Sequence, residues 1–199
     1  MSENNNLQLT QAVARANTIR GVFLCIGAVL GATFPDVDQY LRAFSFIQHR
    51  SLLTHGIILP VLFYLLWHYR PRVWLRGLLI GFCATEAVHL CFDLFPRAWK
   101  GAALIYAPWY GWTPAWFSWL WIAMSIVGCA YLAGLLITTL VDMIMTLLGV
   151  GVAFLAASAN EPSFWPFWAL VIALGIVWLV DRQLMCIINR DKDEFLHRF

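Results

Sequence analysis

Six side chains in the first half of the chain are of the types that bind metal ions. They are three aspartates and three histidines: Asp36, Asp38, His49, His55, His89 and Asp93. Zinc, manganese and iron all accept histidine nitrogen together with carboxylate oxygen. Zinc is the expected metal, with manganese or iron as alternatives. Six ligands exceed the needs of one tetrahedral ion, so the set also fits a two-metal site that activates water and stabilises a phosphoryl or acyl oxygen during hydrolysis.

Two further polar residues accompany this set and are candidates for catalysis. Arg50 follows His49 and could neutralise an anionic oxygen, as guanidinium groups do for phosphate. Glu86 could orient a ligand histidine or act as a base. Plainer alternatives remain open, because Asp36 could cap a helix and Arg50 could simply pair with Asp36 or Asp38.

The overall composition is that of an integral membrane protein. The 199 residues are 61% hydrophobic and 12% charged, and the mean hydropathy is +0.72. Soluble domains carry about 25% charged residues. The length predicts one bundle, a single domain over 1–199, and the net charge of +2 is too small to indicate a nucleic-acid partner. The cysteines form no paired motif and are expected to be buried hydrophobic side chains.

The order of apolar segments predicts an all-α, polytopic bundle of about six transmembrane helices. These segments cover about 18–34, 52–69, 73–95, 115–141, 143–159 and 164–188. A polar N-terminal segment, 1–17, precedes them without a signal-peptide pattern, and a charged tail, 189–199, follows. The candidate ligands all lie in the motif-bearing half, 31–108, whereas 115–188 is almost entirely apolar.

The first helix should end at Pro35, which places Asp36 and Asp38 on non-helical backbone. Residues i and i+2 diverge by about 200° on a helix, whereas in a turn both carboxylates can converge on one ion. Ser51 or Thr54 could cap the start of the second helix.

The third segment carries a polar stripe of three residues. Glu86, His89 and Asp93 lie within roughly a 60° arc of a helix, and His89 and Asp93 are close enough in sequence to reach one ion. A polar stripe of this kind should face the bundle interior rather than lipid.

The loop over 96–114 is rich in aromatic residues: Trp99, Tyr106, Trp109, Tyr110 and Trp112. Trp and Tyr favour the membrane interface because their rings are amphipathic. A belt at the interface and a surface that contacts a lipid substrate are both open interpretations of this loop.

The distribution of positive charge predicts the topology. Nine of the thirteen Lys and Arg residues fall on the side of the two termini, so the positive-inside rule places both termini in the cytoplasm. The four on the other side are Arg42, Arg50, Arg97 and Lys100. Whatever the sign, the first and third helices end, and the second begins, on one side of the membrane. The six candidate ligands should therefore meet at one membrane face, with Glu86 about one turn deeper.

Three short motifs in order resemble a known family. They are P-D-x-D at 35–38, H-R-x-x-x-T-H at 49–55 and H-x-x-x-D at 89–93. Over about 31–108 the chain resembles the YdjM-type, LexA-regulated family of bacterial inner-membrane proteins. These are described as membrane-bound, metal-dependent hydrolases and resemble zinc-dependent phospholipase C in their ligand pattern. The resemblance implies a multi-pass inner-membrane location and a metal-dependent hydrolase.

The chain differs from the family pattern at three points. Gln39 stands where the family usually has a histidine, no histidine precedes His49, and Gly56 replaces a small hydroxyl residue. Because of these differences, a site with one metal ion and a site with two are both open alternatives.

The expected function is hydrolysis of a phosphoester or lipid-like substrate at the membrane surface, with membrane lipids as partners. A transporter is the first alternative, although a permeation path requires polar groups at several depths and these crowd one face. A non-catalytic membrane scaffold with a structural metal site is the second.

Overall fold

The computed structural model describes the backbone of residues 2–41, 48–95 and 103–196. Some residues that enter the predicted topology and the aromatic loop lie outside those ranges: Arg42, Arg97, Trp99, Lys100 and Arg198. Within the ranges most residues are helical, and the described strands form one short hairpin, which confirms the all-α part of the predicted fold class.

Six α-helices account for most of the described residues. They are α1 (Ser2–Thr33), α2 (Ile58–Tyr69), α3 (Val73–Leu94), α4 (Ala115–Leu136), α5 (Leu140–Asn160) and α6 (Trp165–Leu196). A 3₁₀ helix, Pro35–Gln39, follows α1. Strands β1 (Tyr106–Ala107) and β2 (Gly111–Trp112) form an antiparallel hairpin before α4.

Five of the described helices are long and apolar enough to cross a membrane, which indicates a membrane protein. The exception is α2, whose 12 residues rise only roughly 18 Å. A spanning helix needs roughly 20 residues. Of the six predicted spans, five therefore have the required length.

Several predicted helix boundaries are wrong. The first helix begins at Ser2 rather than at about 18, and the last ends at Leu196 rather than at 188, so both helices extend into the flanking polar segments.

Two further differences lie next to α2 and α4. The second helix begins at Ile58 rather than at 52, because the residues before it fold as turns. The fourth ends at Leu136 rather than at 141, and Thr139 caps the next helix by accepting a hydrogen bond from the Asp142 N–H at 3.1 Å.

The third helix lies at the centre of the bundle. Of its apolar window 89% is buried, compared with 17% for α5 and 6% for α6. The window of α1 is 11% buried, so α1, α5 and α6 all leave most of their apolar surface uncovered and would contact lipid. Polar side chains on α3 therefore face other helices, as the polar stripe predicts.

Glycines bring α1 and α3 into backbone contact. A Cβ on Gly27 would overlap the Leu78 carbonyl, and one on Gly81 would overlap the Leu24 carbonyl. Small residues spaced by four allow such close packing in membrane helices. Thr85 also donates a hydrogen bond to the Ala28 carbonyl at 2.7 Å. The two helices run parallel, so their C-terminal ends meet at the same end of the bundle.

An ion cluster lies at the opposite end of the bundle. Asp142, only 2% exposed, pairs with Arg20 at 2.7 Å and with Arg76 at 3.2 Å. Arg76 also donates two hydrogen bonds to the Leu136 carbonyl, at 3.0 and 2.8 Å. These contacts join α1, α3, α4 and α5, and the sequence analysis did not predict them.

Candidate metal centre

The 3₁₀ helix after α1 directs its two aspartates to different neighbours. Pro35 occupies its first turn, where a missing N–H costs nothing. Because 3₁₀ geometry places three residues in each turn, Asp36 and Asp38 diverge. The prediction of non-helical backbone at this point is therefore wrong. Asp36 accepts a hydrogen bond from the Gln39 side chain at 2.8 Å, whereas Asp38 is buried.

Asp38 organises the segment that follows it. Its Oδ1 lies 3.2 Å from His49 Nδ1. Its Oδ2 accepts hydrogen bonds from the Ser51 N–H at 2.9 Å and the Thr54 hydroxyl at 2.6 Å, and it lies 3.3 Å from His55 Nδ1. Ser51 and Thr54 thus bind this carboxylate. The expectation that one of them caps α2 is wrong.

The same contacts keep Asp38 ionised. Burial alone would raise the pKa of its carboxyl, but hydrogen bonds with His49, His55, Thr54 and the Ser51 backbone outweigh burial and hold that pKa well below its ordinary value. A carboxylate that stays charged in a buried place is suited to a cation or to charged imidazole neighbours.

Asp93, in the last turn of α3, contacts three other polar side chains. Its Oδ1 accepts a hydrogen bond from Arg50 Nε at 3.1 Å. Its Oδ2 lies 3.3 Å from His89 Nε2 and 3.4 Å from His55 Nε2. Arg50 therefore pairs with Asp93, and the alternative that it pairs with Asp36 or Asp38 is wrong.

His89 is oriented from behind by α1. Its Nδ1 lies 3.1 Å from the Ala32 carbonyl, which accepts a hydrogen bond when Nδ1 carries the proton. Nε2 is then left with its lone pair toward the site. A histidine held by a backbone carbonyl through one nitrogen is the usual arrangement of a metal ligand.

Five of the six predicted ligands form two groups that share His55. One consists of Asp36, His55 and His89, and the other of Asp38, His49 and His55, with the ligand atoms of each group within 4.8 Å of one another. Asp93 belongs to neither group, although it contacts His55 and His89. The structure thus brings all six residues together, and the predicted role of Asp93 as a ligand stays a prediction.

Unsatisfied buried atoms indicate that these residues fit a metal ion. His55 is 0% exposed, yet its Nε2 completes no hydrogen bond with the described residues, and neither does Asp93 Oδ2. Unpaired polar atoms in a protein interior are costly, so such sites usually hold an ion or a water molecule. The donor set of imidazole nitrogen and carboxylate oxygen suits zinc, manganese or iron.

Arg50 has an unusual backbone conformation that fixes its position. Its φ is 60°, a region that non-glycine residues rarely adopt. The hairpin secures this geometry, because the Tyr106 N–H donates to the Arg50 carbonyl and the Leu52 N–H donates to the Tyr106 carbonyl, both at 2.9 Å. The aromatic loop thus supports the site through backbone contacts, while Trp109 at its tip is 99% exposed.

A cavity of about 390 Å³ lies beside the two groups. Its polar wall comprises predicted site residues: Asp36, His49, Arg50, His89 and Asp93. A further part of its lining, the α5 wall, comes from the end of α5 and was not predicted: Ala153, Ala156, Ala157, Asn160 and Glu161. In the sequence, this wall is marked only by the polar pair Asn160 and Glu161 between two apolar segments.

The structure places Glu86 apart from the cavity. Its side chain is 1% exposed, and its Oε2 has no hydrogen-bond partner among the described residues. It lies in the core near Cys83 and Cys129, and it does not line the cavity. No described contact joins Glu86 to a histidine, so the expected base or orienting role gains no support from its position.

In comparisons with known proteins, no family model, curated protein or solved structure matches the chain.

Proposed function

We propose that this protein is a membrane-bound, metal-dependent hydrolase of the YdjM type, acting on a phosphoester or lipid-like substrate at the membrane surface. The observation that carries the proposal is the convergence of the predicted ligands on His55, next to a cavity of about 390 Å³. Ligand pockets have volumes of about 300–1,000 Å³, so this cavity is large enough for a small phosphoester.

The two groups suit different tasks. Asp36 and His89 line the cavity, so an ion held by these residues and His55 would face a substrate. Such an ion would supply a water molecule of lowered pKa and a Lewis acid for the phosphoryl oxygen. In the other group Asp38 is 0% exposed and only His49 lines the cavity, so an ion held there would be less open to a substrate.

Arg50 and Asp93 are proposed to prepare the site for an anion. The Nε of Arg50 binds Asp93, which holds the guanidinium against the cavity wall. Arginine forms strong, charge-assisted hydrogen bonds with phosphate, so Arg50 is suited to bind the anionic oxygen of a substrate. Asp93 Oδ2 lies 3.3 Å from His89 Nε2 and 3.4 Å from His55 Nε2, so Asp93 could share an ion with these two histidines.

The location also belongs to this proposal. The site lies where α1 and α3 end, which would be one membrane face. The excess of Lys and Arg on the opposite side predicts cytoplasmic termini in an inner membrane. The membrane face that carries the candidate metal site would then be the external one.

Metal analysis of the purified protein tests the proposal directly. We expect stoichiometric zinc, manganese or iron and hydrolysis of at least one member of a phosphoester panel. The variant His55→Ala should lose most of the metal because both groups contain this residue. His68→Ala is the matched control, since His68 is exposed on α2 and lies outside both groups. Folded wild-type protein without metal would contradict the proposal.

A non-catalytic scaffold is the second candidate, and the burial of Asp38 and His55 favours it. Both side chains are 0% exposed, and their contacts hold the turn at 51–55 against the 3₁₀ helix. An ion there would stabilise the fold without reaching a substrate. Bound metal with no hydrolysis across the panel, and a lower unfolding temperature after chelation, would support this candidate over the hydrolase.

A further inference from the structure

The cavity beside the metal groups has an acidic residue at its α5 wall whose purpose the proposed hydrolysis does not explain. Glu161 is the residue that follows α5, and it lines the same cavity as Arg50. Its Oε2 is buried and has no hydrogen-bond partner among the described residues. An ionised carboxylate oxygen shielded from water and left unpaired is costly unless a ligand pairs with it.

Asp93 Oδ2 is also buried without a hydrogen-bond partner among the described residues, but unlike Glu161 Oε2 it lies beside two histidines. Asp93 pairs with Arg50 and two histidines, and Asp36 belongs to a metal group and binds Gln39. Within the described part of the chain, Glu161 has neither an ion pair nor a place in a metal group. With the other acidic residues paired in this way and metal ions bound, the cavity has a positive region at Arg50 and the two ligand groups. It has a negative region at Glu161.

From this polarity we infer that the cavity recognises a phosphoester that also carries a positively charged amine. The phosphoryl group would lie at Arg50 and the metal groups, and the ammonium group would pair with Glu161. The inference rests on the proposed function, because it requires the phosphoryl group to bind at the metal side. Complementary charge across a binding site supplies specificity for a ligand with the matching charge pattern.

The surroundings of Glu161 allow either a soluble phosphoester or a lipid headgroup to supply this chemistry. Three alanines, Ala153, Ala156 and Ala157, leave space along the α5 wall. On the same helix Val152 and Leu155 are 67% and 72% exposed, as lipid-facing residues would be. An acyl chain attached to the phosphoester could therefore follow α5 into lipid.

A pair of probes that differ only in the amine tests the inference on the full chain purified with its metal. The probes are 2-aminoethyl phosphate and ethyl phosphate, and the measurement is their dissociation constants by calorimetry. We expect wild type to prefer the amine by about tenfold, the usual value of one charge-assisted contact. Glu161→Gln should reduce this preference to about one, and Glu161→Asp should retain part of it. Metal content and the unfolding temperature should stay at wild-type values in both variants.

Other results would overturn the inference in distinguishable ways. Equal binding of the two probes by metal-loaded wild type would reject the amine preference and leave the proposed function intact. Protein that holds no metal and binds neither probe would reject both. Loss of metal in Glu161→Gln would make this residue a ligand instead of an amine site.

A third probe tests whether the ligand is a lipid headgroup or a soluble phosphoester. It is a single-chain phospholipid with the same aminoethyl phosphate headgroup, compared with its analogue lacking the amine. A Glu161-dependent preference for this lipid, with tighter binding than the soluble probe, supports a lipid headgroup. A preference confined to the soluble probes supports a soluble phosphoester.

Discussion

Thr54 contributes a single hydroxyl that binds a buried carboxylate of the candidate metal site. This hydroxyl donates a hydrogen bond to Asp38 Oδ2 at 2.6 Å, in a place where the carboxylate is fully buried. Hydrogen bonds to charged groups contribute about 1.5–3 kcal/mol. Thr54→Val keeps the shape and removes this bond, so we expect the free energy of unfolding to fall by about 2 kcal/mol. Chemical unfolding in detergent micelles measures this loss.

Thr18→Val is the matched control for that substitution. Thr18 is exposed, and its hydroxyl donates only to the Ala14 carbonyl in the same helix. Its replacement should change the free energy of unfolding by less than about 0.5 kcal/mol. Equal effects at the two positions would show that Asp38 does not depend on the Thr54 hydroxyl.

At the scale of residues, the sequence predicted which side chains meet, but it did not predict their individual contacts. Six acidic and imidazole side chains were expected to meet, and they do, because helix ends and Pro35 place them at one end of the bundle. The partners of Ser51 and Thr54 were not predictable, since a hydroxyl near a helix start is equally suited to capping the helix and to binding a distant carboxylate. Glu86 shares the stripe of His89 and Asp93, but a periodic stripe does not give depth, and the core encloses it.

At the scale of helices, the stability of the bundle depends on contacts at the end opposite the candidate site. Asp142 joins Arg20 of α1 and Arg76 of α3 to α5. Removing one partner of a buried ion pair costs about 3–5 kcal/mol, because the other charge remains without compensation. Arg76 is partly exposed and keeps its bonds to the Leu136 carbonyl, so we expect Asp142→Ala to cost about 3 kcal/mol. Unfolding in detergent micelles measures the loss.

Asp181→Ala is the control for the effect of charge alone. Asp181 is exposed on α6 and has no ion pair among the described residues, so its removal should be nearly neutral. In folded Asp142→Ala protein the metal content should equal that of wild type, because the cluster and the metal groups occupy opposite ends of the bundle. Wild-type stability in Asp142→Ala would contradict a structural role for the cluster.

The extent of each helix was predictable where the sequence itself stops the helix. Pro35 ends α1 as expected, and the segment 73–95 matches α3 to within one residue. The cluster around Asp142 was not predictable, because its members lie 56 to 122 positions apart in the chain. The glycine spacings at 27–31 and 77–81 are a sequence signal for the packing of α1 on α3.

At the scale of the whole molecule, contacts between helix ends define how the chain passes through the bundle. The parallel packing of α1 on α3 means that the chain must return between them, and α2 makes this return. Asp142 begins α5 at the end opposite the metal groups, and Glu161 follows α5 at the cavity. The sequence predicted this alternation from apolar segments alone, although the short α2 leaves its crossing of the membrane untested.

Reporter fusions test both the crossing by α2 and the side on which the site lies. Alkaline phosphatase is active only outside the cytoplasm, whereas a green fluorescent protein fused by the same pathway fluoresces only inside. Fusion points after Thr33, Arg70 and Glu161 and in the tail sample successive ends of the helices. We expect phosphatase activity after Thr33 and Glu161, and fluorescence after Arg70 and in the tail, because the side with nine of thirteen basic residues stays in the cytoplasm.

The same reporter responding after Thr33 and after Arg70 would show that α2 does not cross the membrane. Fluorescence after Glu161 together with phosphatase activity in the tail would place the metal centre in the cytoplasm and reverse the proposed orientation.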